Sequence, residues 1–231
     1  MIDTGGDYDD PTNWREGSEL GGSPGTAGSG PVGNIVINEV LSNSDGLLVD
    51  AIELHNSGVA AIDIGGWCLS DSSGNFEKYR IPSGTSIPGG GYIVFEESHF
   101  NPAAPAPGQV PFGLNGAVGD EVWLMQGEVG GGVTHFVDQV EFGAALSNES
   151  FGRWENSEGK AYFSPMTGRT LDPPGPNSGP RIGPELVISE VMYNPPDPDG
   201  DGGIDPADLE FIEIHNTSGY PVTLTDWRLR K

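Results

Sequence analysis

The chain has 231 residues, of which 37 are glycine and 20 are proline, and its formal net charge is −24. Its 34 acidic against 10 basic side chains disfavour nucleic acid and anionic membrane surfaces, because both are polyanions that attract Lys and Arg. Divalent cations and neutral surfaces are the partners that this charge allows. No apolar run approaches the length of about 20 residues that a membrane-spanning helix needs, and no signal peptide is recognised.

The first 32 residues predict a linker together with the tail of a preceding unit. Residues 21–31 are rich in Gly, Ser and Pro and show no hydrophobic periodicity. A second such segment, residues 172–180, lies 150 residues later, measured between Pro24 and Pro174. Both segments precede a Val-Ile-x-Glu sequence, so we expect them to mark the boundaries between units.

Short strands joined by tight turns are predicted after the linker. Apolar and polar residues alternate in these stretches, as in half-buried strands. The predicted strands are residues 35–41, 51–56, 60–64, 67–71, 78–82, 92–96, 121–125 and 134–142. Glycine and proline make up about a quarter of the chain and separate the strands, and no stretch has a helical period over three turns. This pattern predicts an all-β sandwich.

The lone Cys68 allows no disulfide and, beside Trp67, predicts a buried thiol.

The chain repeats itself, and the second copy lacks most of the strands of the first. Ile52-Glu-Leu-His-Asn56 returns as Ile212-Glu-Ile-His-Asn216. Glu39 and Glu190 are 151 residues apart, whereas Trp67 and Trp227 are 160 apart, so the second copy carries nine extra residues. We therefore expect one complete sandwich over residues 33–178 and an incomplete second one over residues 179–231, as in a section of a longer tandem array.

Several short motifs follow one another along the chain. They are Ile37-Asn-Glu-Val40, Ile52-Glu-Leu-His-Asn56, Ile62-Asp-Ile-Gly-Gly-Trp67-Cys-Leu-Ser-Asp71, Ile87-Pro-Gly-Gly-Gly-Tyr92, Gly113-Leu-Asn-Gly116, Gly119-Asp-Glu-Val122, Ser150-Phe-Gly-Arg153 and Pro174-Gly-Pro-Asn177. In this order they resemble the lamin tail domain family. The resemblance implies an immunoglobulin-like sandwich without a defined active site. It also implies a large secreted or cell-surface bacterial protein. The chromatin and DNA contacts of the lamin version are not expected, because this chain is strongly acidic.

An acidic loop occupies the insertion of the second copy and predicts a calcium site. Asp197, Asp199 and Asp201 alternate with other residues, as at positions 1, 3 and 5 of a calcium loop, and Gly202 takes the turn position. The other proposed ligands are the Gly203 carbonyl, Asp205 and Asp208. Position 12 is Asp rather than Glu, and no helix flanks the loop. We therefore expect a dockerin-like or β-sandwich calcium loop, the alternative being a solvated acidic loop at a repeat boundary.

Repeated carboxylates and histidines are candidates for catalysis, but a structural role is favoured for both. Glu39 and Glu53 recur as Glu190 and Glu213, and a carboxylate pair can serve as acid and base. Recurrence in both units of an array favours polar residues that close hydrogen bonds around the first hairpin. The four histidines, His55, His99, His135 and His215, show neither a triad nor metal-ligand spacing. We predict no enzyme activity.

Exposed aromatic side chains could instead form a platform on which a sugar stacks. Trp67 and Trp227 occupy matching positions and are expected in the core, and burial is also expected for Trp123. Trp154, beside Arg153, and Tyr92 are the candidates for a ligand platform.

The preferred function is a non-catalytic spacer or adhesion module of a secreted or cell-surface protein, stiffened by Ca²⁺. Its partners are neighbouring repeat units and an unidentified protein or glycan surface. The first alternative is a carbohydrate-binding module attached to a secreted hydrolase. The second is a metal-dependent phosphoesterase, which would need histidines and carboxylates to converge on one ion. We further expect the incomplete second copy to expose its strands, and so to be disordered, to dock onto the complete unit or to pair with another molecule.

Overall fold

The computed structural model describes residues 9, 17–24, 28–30, 32–181, 186–193, 195, 209–217 and 224–225. Its elements are β1 Ile35–Leu41, β2 Ala51–Asn56, β3 Ile62–Asp63, β4 Cys68–Ser70, β5 Tyr79–Arg80, β6 Ser86–Ile87, β7 Tyr92–Glu96, α1 Glu97–Phe100, β8 Asp120–Gly127, β9 Val133–Phe142, β10 Ser150–Glu155, β11 Ala161–Pro165, β12 Leu186–Met192 and β13 Phe211–Asn216. The chain divides into two units, Met1–Arg181 and Ile182–Lys231. Within the described residues, no helix is long and apolar enough to cross a membrane.

The first unit is a sandwich of two antiparallel sheets, which confirms the all-β prediction. One sheet has five strands in the order β11-β10-β1-β2-β7, and the other has four in the order β5-β4-β8-β9. A two-stranded ribbon of β3 and β6 lies beside them. Strands β1 and β10 are neighbours although more than 100 residues separate them in the sequence. The five-stranded sheet is therefore completed by the last strands of the unit.

The core lies between the sheets and is made by alternate residues of each strand. Ile35, Ile37 and Val40 of β1 and Ile52 and Leu54 of β2 are at most 1% exposed. Burial of each such side chain contributes about 1.5–3 kcal/mol of hydrophobic stabilisation. This burial also fixes the register, because a slip of one residue would turn the apolar face outward.

The aromatic and thiol side chains after β3 lie where the sequence predicts. Trp67 is 4% exposed and belongs to the core. Cys68 is fully buried as a free thiol, and burial raises its pKa to about 11. Because the thiolate is the reactive form, this cysteine is chemically inert at neutral pH. Trp123 is half-buried rather than fully buried, and its ring packs against Phe76 and Phe136.

The strands predicted at residues 60–64, 67–71 and 78–82 are shorter in the structure. Strands β6, β10 and β11 of the first unit were not predicted. Gly66, with a φ of +89°, turns the chain between β3 and β4. The short strands therefore alternate with turns where the sequence pattern predicts continuous extended chain. In β10, Gly152 breaks the alternation of apolar and polar residues, and this glycine packs against a segment distant in the sequence.

The N-terminal segment is attached to the sandwich over residues 18–20, where the sequence predicts a flexible linker. Glu19 forms an antiparallel bridge with His135 of β9. The backbone N–H of Leu20 donates to the carbonyl of Thr134, and that of Phe136 donates to the carbonyl of Ser18. Backbone pairing, which composition does not reveal, fixes this segment at the edge of the four-stranded sheet.

The described part of the second unit is a hairpin with the register of the first. Glu190 pairs with Glu213 as Glu39 pairs with Glu53, and both hairpins carry an irregularity one residue before the first Glu. The equivalents of the core positions are exposed, because no second sheet covers them among the described residues. The exposed apolar side chains, between 39 and 58% accessible, are Val187, Ile188, Val191, Phe211, Ile212 and Ile214.

Candidate functional site

The six proposed calcium ligands lie outside the described residues. They are Asp197, Asp199, Asp201, Gly203, Asp205 and Asp208. The structure describes the strands on either side, which end at the pair Met192 and Phe211. Across the described ranges, no group of three or more His, Cys, Asp or Glu side chains is placed to hold a metal ion. The calcium site therefore stays a prediction.

The corresponding loop of the first unit, residues 42–50, is closed by its own hydrogen bonds. The Asp50 carboxylate accepts from the hydroxyl and the backbone N–H of Ser44 at 2.8 and 3.2 Å. The N–H of Asp45 donates to the Asn148 side chain at 2.8 Å. The carboxylates of this shorter loop thus bind protein donors, and the nine extra residues of the second copy have no counterpart here.

Glu39 and Glu53 are buried side by side on the outer face of the five-stranded sheet. They are direct cross-strand partners of β1 and β2, and each is 0% exposed. Their side chains point away from the apolar core, because Val40 and Ile52, next to them in sequence, face inward. Two carboxylates would not be expected to be buried at neighbouring positions unless other groups satisfied them.

A segment that we call the strap, residues 166–181, supplies these groups. The backbone N–H of Thr170 donates to both carboxylate oxygens of Glu39, at 3.1 and 3.0 Å, and its hydroxyl also donates to Glu39. The N–H of Gly175 donates to Glu53 at 3.3 Å, and the side-chain amide of Asn38 donates to the same carboxylate at 2.6 Å. The two carboxylates therefore bind the strap to the sheet.

The side chain of Asn177 anchors the strap beside them. It donates to the carbonyl of Arg153 at 2.7 Å and to that of Asn38 at 3.0 Å. Gly152 makes room for it, because a Cβ at residue 152 would lie 2.9 Å from the Asn177 side chain. The glycine that breaks the alternation of β10 is thus needed for close packing of the strap.

The environment of Glu53 favours its neutral form. Its pKa is raised to about 7, chiefly by burial and also by the adjacent carboxylate of Glu39, against the hydrogen bonds from Asn38 and Gly175. A carboxyl that titrates near neutrality is a frequent property of general acids. Here both carboxylates are covered by the strap, so no substrate reaches them in this conformation.

An ion pair joins the two sheets at the irregularity of β1. Arg153 of β10 donates to Asp138 of β9 at 2.6 Å. Asp138 also accepts from the backbone N–H of Ile37 at 2.7 Å, and Arg153 donates to the Ile37 carbonyl at 3.1 Å. Burial raises the pKa of Asp138 although Arg153 lowers it. The pair therefore satisfies the backbone groups that the bulge removes from the strand ladder.

The two residues of the proposed ligand platform lie on the same outer face but in separate clusters. Tyr92 stacks on His55 with the ring centroids 4.2 Å apart. Trp154 stacks on Tyr162 at 5.2 Å, and its indole N–H donates to Ser164. In the sheet order, β1 and β2 lie between the strands that carry Trp154 and Tyr92. The sheet thus spaces them about 14 Å apart, too far to stack on one sugar ring.

The histidines lie on different elements. His55 is on β2, His99 on α1 and His135 on β9, and His215 belongs to the second unit. Burial lowers the pKa of His55, which favours its neutral form. His99 contacts the backbone of Glu96 at the start of α1. Each described histidine of the first unit thus has a local structural contact.

Sequence reasoning did not identify several polar residues that organise this face. They are Asn38, Asp138, Arg153, Thr170 and Asn177. Asn38, Arg153 and Asn177 occur in the motifs quoted above, and membership of these motifs is the signal that could have identified them. Asp138 and Thr170 lie more than 100 residues from their partners Ile37 and Glu39, so no local pattern reveals them.

A comparison with family models matches residues 29–144 to the family described as Lamin Tail Domain. The match covers half of the chain and includes β1 to β9. Strands β10 and β11 and the strap follow it, although they complete the same five-stranded sheet. Neither the comparison with curated proteins nor that with solved structures found a match.

Proposed function

The chain belongs to the lamin tail domain family, and we propose on this basis that it is a non-catalytic structural and interaction module. Its setting would be a large secreted or cell-surface bacterial protein in which similar units follow one another. The observation that carries the proposal is the structural role of the Glu39 and Glu53 carboxylates. These carboxylates, which recur in both copies, are covered by the strap and accept hydrogen bonds from it.

A catalytic carboxylate pair needs contact with the bond that it cleaves. Glu39 accepts three hydrogen bonds from Thr170 and Glu53 accepts from Asn38 and Gly175, and both are 0% exposed. The bonds go to backbone and side-chain donors that fix the strap. This arrangement favours a structural role for the repeated polar residues of the family scaffold.

Calcium would be the ligand of the second copy. Its insertion of nine residues contains Asp197, Asp199 and Asp201 at alternate positions, a spacing that supplies hard oxygen ligands to Ca²⁺. The equivalent loop of the first unit closes on itself through Ser44 and Asp50. Bound Ca²⁺ would neutralise the repulsion among the loop carboxylates and stiffen the segment, which suits a module placed in an array.

Calorimetric titration with Ca²⁺ tests the metal proposal. One binding event is expected for the unmodified chain and none for the double variant Asp199→Ala, Asp201→Ala. The double variant Glu155→Ala, Glu158→Ala removes the same charge from exposed positions and should bind as the unmodified chain does. No heat with the unmodified chain would refute the calcium site. Equal heats in all three proteins would show that Ca²⁺ binds outside the loop.

The partners would be neighbouring repeat units and a neutral protein or glycan surface. The net charge of −24 opposes nucleic acid and anionic membranes. The exposed apolar face of the β12–β13 hairpin gives the second unit an unpaired surface of the kind that packs against another sheet.

A carbohydrate-binding module is the second candidate, and the aromatic pair Trp154 and Tyr162 favours it. Tyr162 is 38% exposed and stacks on Trp154, and the Lys160 ammonium lies 5.2 Å from the Tyr162 ring. Aromatic faces beside polar groups suit the stacking of sugar rings. On a glycan array, Trp154→Ala should abolish binding while Tyr92→Ala, in the separate cluster, should retain it. Absence of any glycan signal with the unmodified chain would eliminate this candidate.

A further inference from the structure

The start of strand β9 lies at the edge of the four-stranded sheet. In the sheet order β5-β4-β8-β9, this strand pairs with β8 on one side, and no named strand follows it on the other. Its second half reaches the other sheet through Asp138, which accepts from Ile37. Its first half, Val133 to Phe136, has no such contact with the five-stranded sheet among the hydrogen bonds of the described residues. An edge of this kind is a template for a further strand.

Residues 18–20 occupy this edge as a short added strand. The N–H of Leu20 donates to the Thr134 carbonyl at 2.8 Å, and the N–H of Phe136 donates to the Ser18 carbonyl at 2.6 Å. Glu19 lies opposite His135 in the antiparallel bridge. Main-chain hydrogen bonds of this type supply the affinity when a peptide adds to a sheet edge.

The added strand is held by hydrogen bonds to residues 29 and 30, and we call the described residues 17–24 and 28–30 the clasp. Ser18 is a polar residue but is only 4% exposed, and its hydroxyl donates to the carbonyl of Gly30. The Glu19 carboxylate accepts from the backbone N–H of Ser29. The pKa of Glu19 is lowered to about 2, chiefly by hydrogen bonds from Ser29 and also by His135. Glu19 is therefore ionised at neutral pH.

We propose that the first half of β9 is a peptide-docking edge and that the clasp of this chain is its built-in occupant. The edge pairs with an extended segment through the main-chain hydrogen bonds of Ser18 and Leu20. Within the clasp, the Ser18 hydroxyl and the Glu19 carboxylate hold that segment in place through Gly30 and Ser29. The clasp covers a β-edge that would otherwise pair with other chains.

The first test is hydrogen exchange of the Phe136 amide in the full chain. Leu20→Pro removes the N–H that donates to Thr134, whereas Leu20→Ala keeps it and changes a side chain that is 43% exposed. Exchange at Phe136 should rise about tenfold or more in Leu20→Pro relative to Leu20→Ala, because local opening sets the rate. Equal exchange in the two variants would overturn the proposal.

The second test supplies the docking segment from outside. A fluorescent peptide with the sequence of residues 17–24 is titrated into the unmodified chain and into the Leu20→Pro chain, and anisotropy is followed. The peptide should bind the Leu20→Pro chain at least tenfold more tightly, because its edge is partly vacated. A peptide with proline at the position of Leu20 is the control and should not bind. No binding to the Leu20→Pro chain, or equal binding to both chains, would contradict an exchangeable docking edge.

Discussion

Glu39 and Glu53 are direct cross-strand partners with fully buried side chains, and both accept hydrogen bonds from the strap of residues 166–181. At the same positions of the second hairpin, Glu190 and Glu213 form the same pair with exposed side chains. The same pair of glutamates is therefore buried in the first hairpin and exposed in the second. In the first unit, the strap and Asn38 give the buried pair its hydrogen-bond donors.

The pH dependence of stability should report the burial of Glu53. Its pKa is about 7 in the folded chain against an ordinary value of 4.5, so the folded state binds this proton more tightly than the unfolded chain. Its contribution to the free energy of unfolding is then complete below pH 4.5 and is lost as the pH rises through about 7. We expect denaturant unfolding to show a loss of up to about 3 kcal/mol from this group between pH 4.5 and pH 8.

Glu53→Gln isolates this effect from other groups that titrate in the same direction, such as Asp138. The variant should show a flatter stability profile over the same pH range, whatever its absolute stability. A profile as steep as that of the unmodified chain would assign the pH dependence to other residues.

Asp138→Ala should destabilise the first unit by about 2–4 kcal/mol. It leaves Arg153 and the backbone N–H of Ile37 without the acceptor that both use at the bulge of β1. Asp138→Asn keeps an oxygen acceptor for Ile37 and should cost less. Chemical denaturation of the two variants measures the difference. Equal stability of Asp138→Ala and the unmodified chain would show that the ion pair does not join the sheets.

Gly119→Ala should destabilise the first unit by about 2 kcal/mol or more. Gly119 has a φ of +94°, and a Cβ there would lie 2.3 Å from the carbonyl oxygen of Phe142. Gly143→Ala is the matched control, because a Cβ at that residue has nothing within 4 Å. Thermal unfolding should separate the two variants by several degrees. Similar melting temperatures would contradict the close approach of the chain at Gly119.

Local sequence patterns predicted several strands correctly. They failed where contacts between distant residues determine whether a segment forms a strand. Strands β1, β2 and β7 have the predicted bounds, since each is a short apolar-rich stretch between polar and turn residues. Strand β10 was not predicted, because Gly152 interrupts its alternation of apolar and polar residues. The glycine makes room for the side chain of Asn177, which lies 25 residues later. The backbone pairing of Ser18 to Leu20 was missed because the segment around it is rich in glycine and serine.

The candidate site was predictable in its residue types but not in its partners. The repeat identified Glu39 and Glu53 and favoured a structural role, and the structure supplies the physical reason in the strap. Thr170 is 131 residues from Glu39, and no periodicity connects the two. The acidic loop 197–208 was identified by local spacing alone, and its ligands lie outside the described residues. Long-range hydrogen bonds thus account for most of what the sequence did not predict.

The most direct test of a structural role for the repeated carboxylates is the free energy of unfolding of Glu39→Gln compared with Glu190→Gln. The first substitution weakens the bonds from Thr170 to a buried carboxylate, whereas the second changes the exposed counterpart at the same register. We predict a loss of about 1–3 kcal/mol for Glu39→Gln and less than about 0.5 kcal/mol for Glu190→Gln. Unchanged stability of Glu39→Gln, or equal losses in both, would contradict the proposed role.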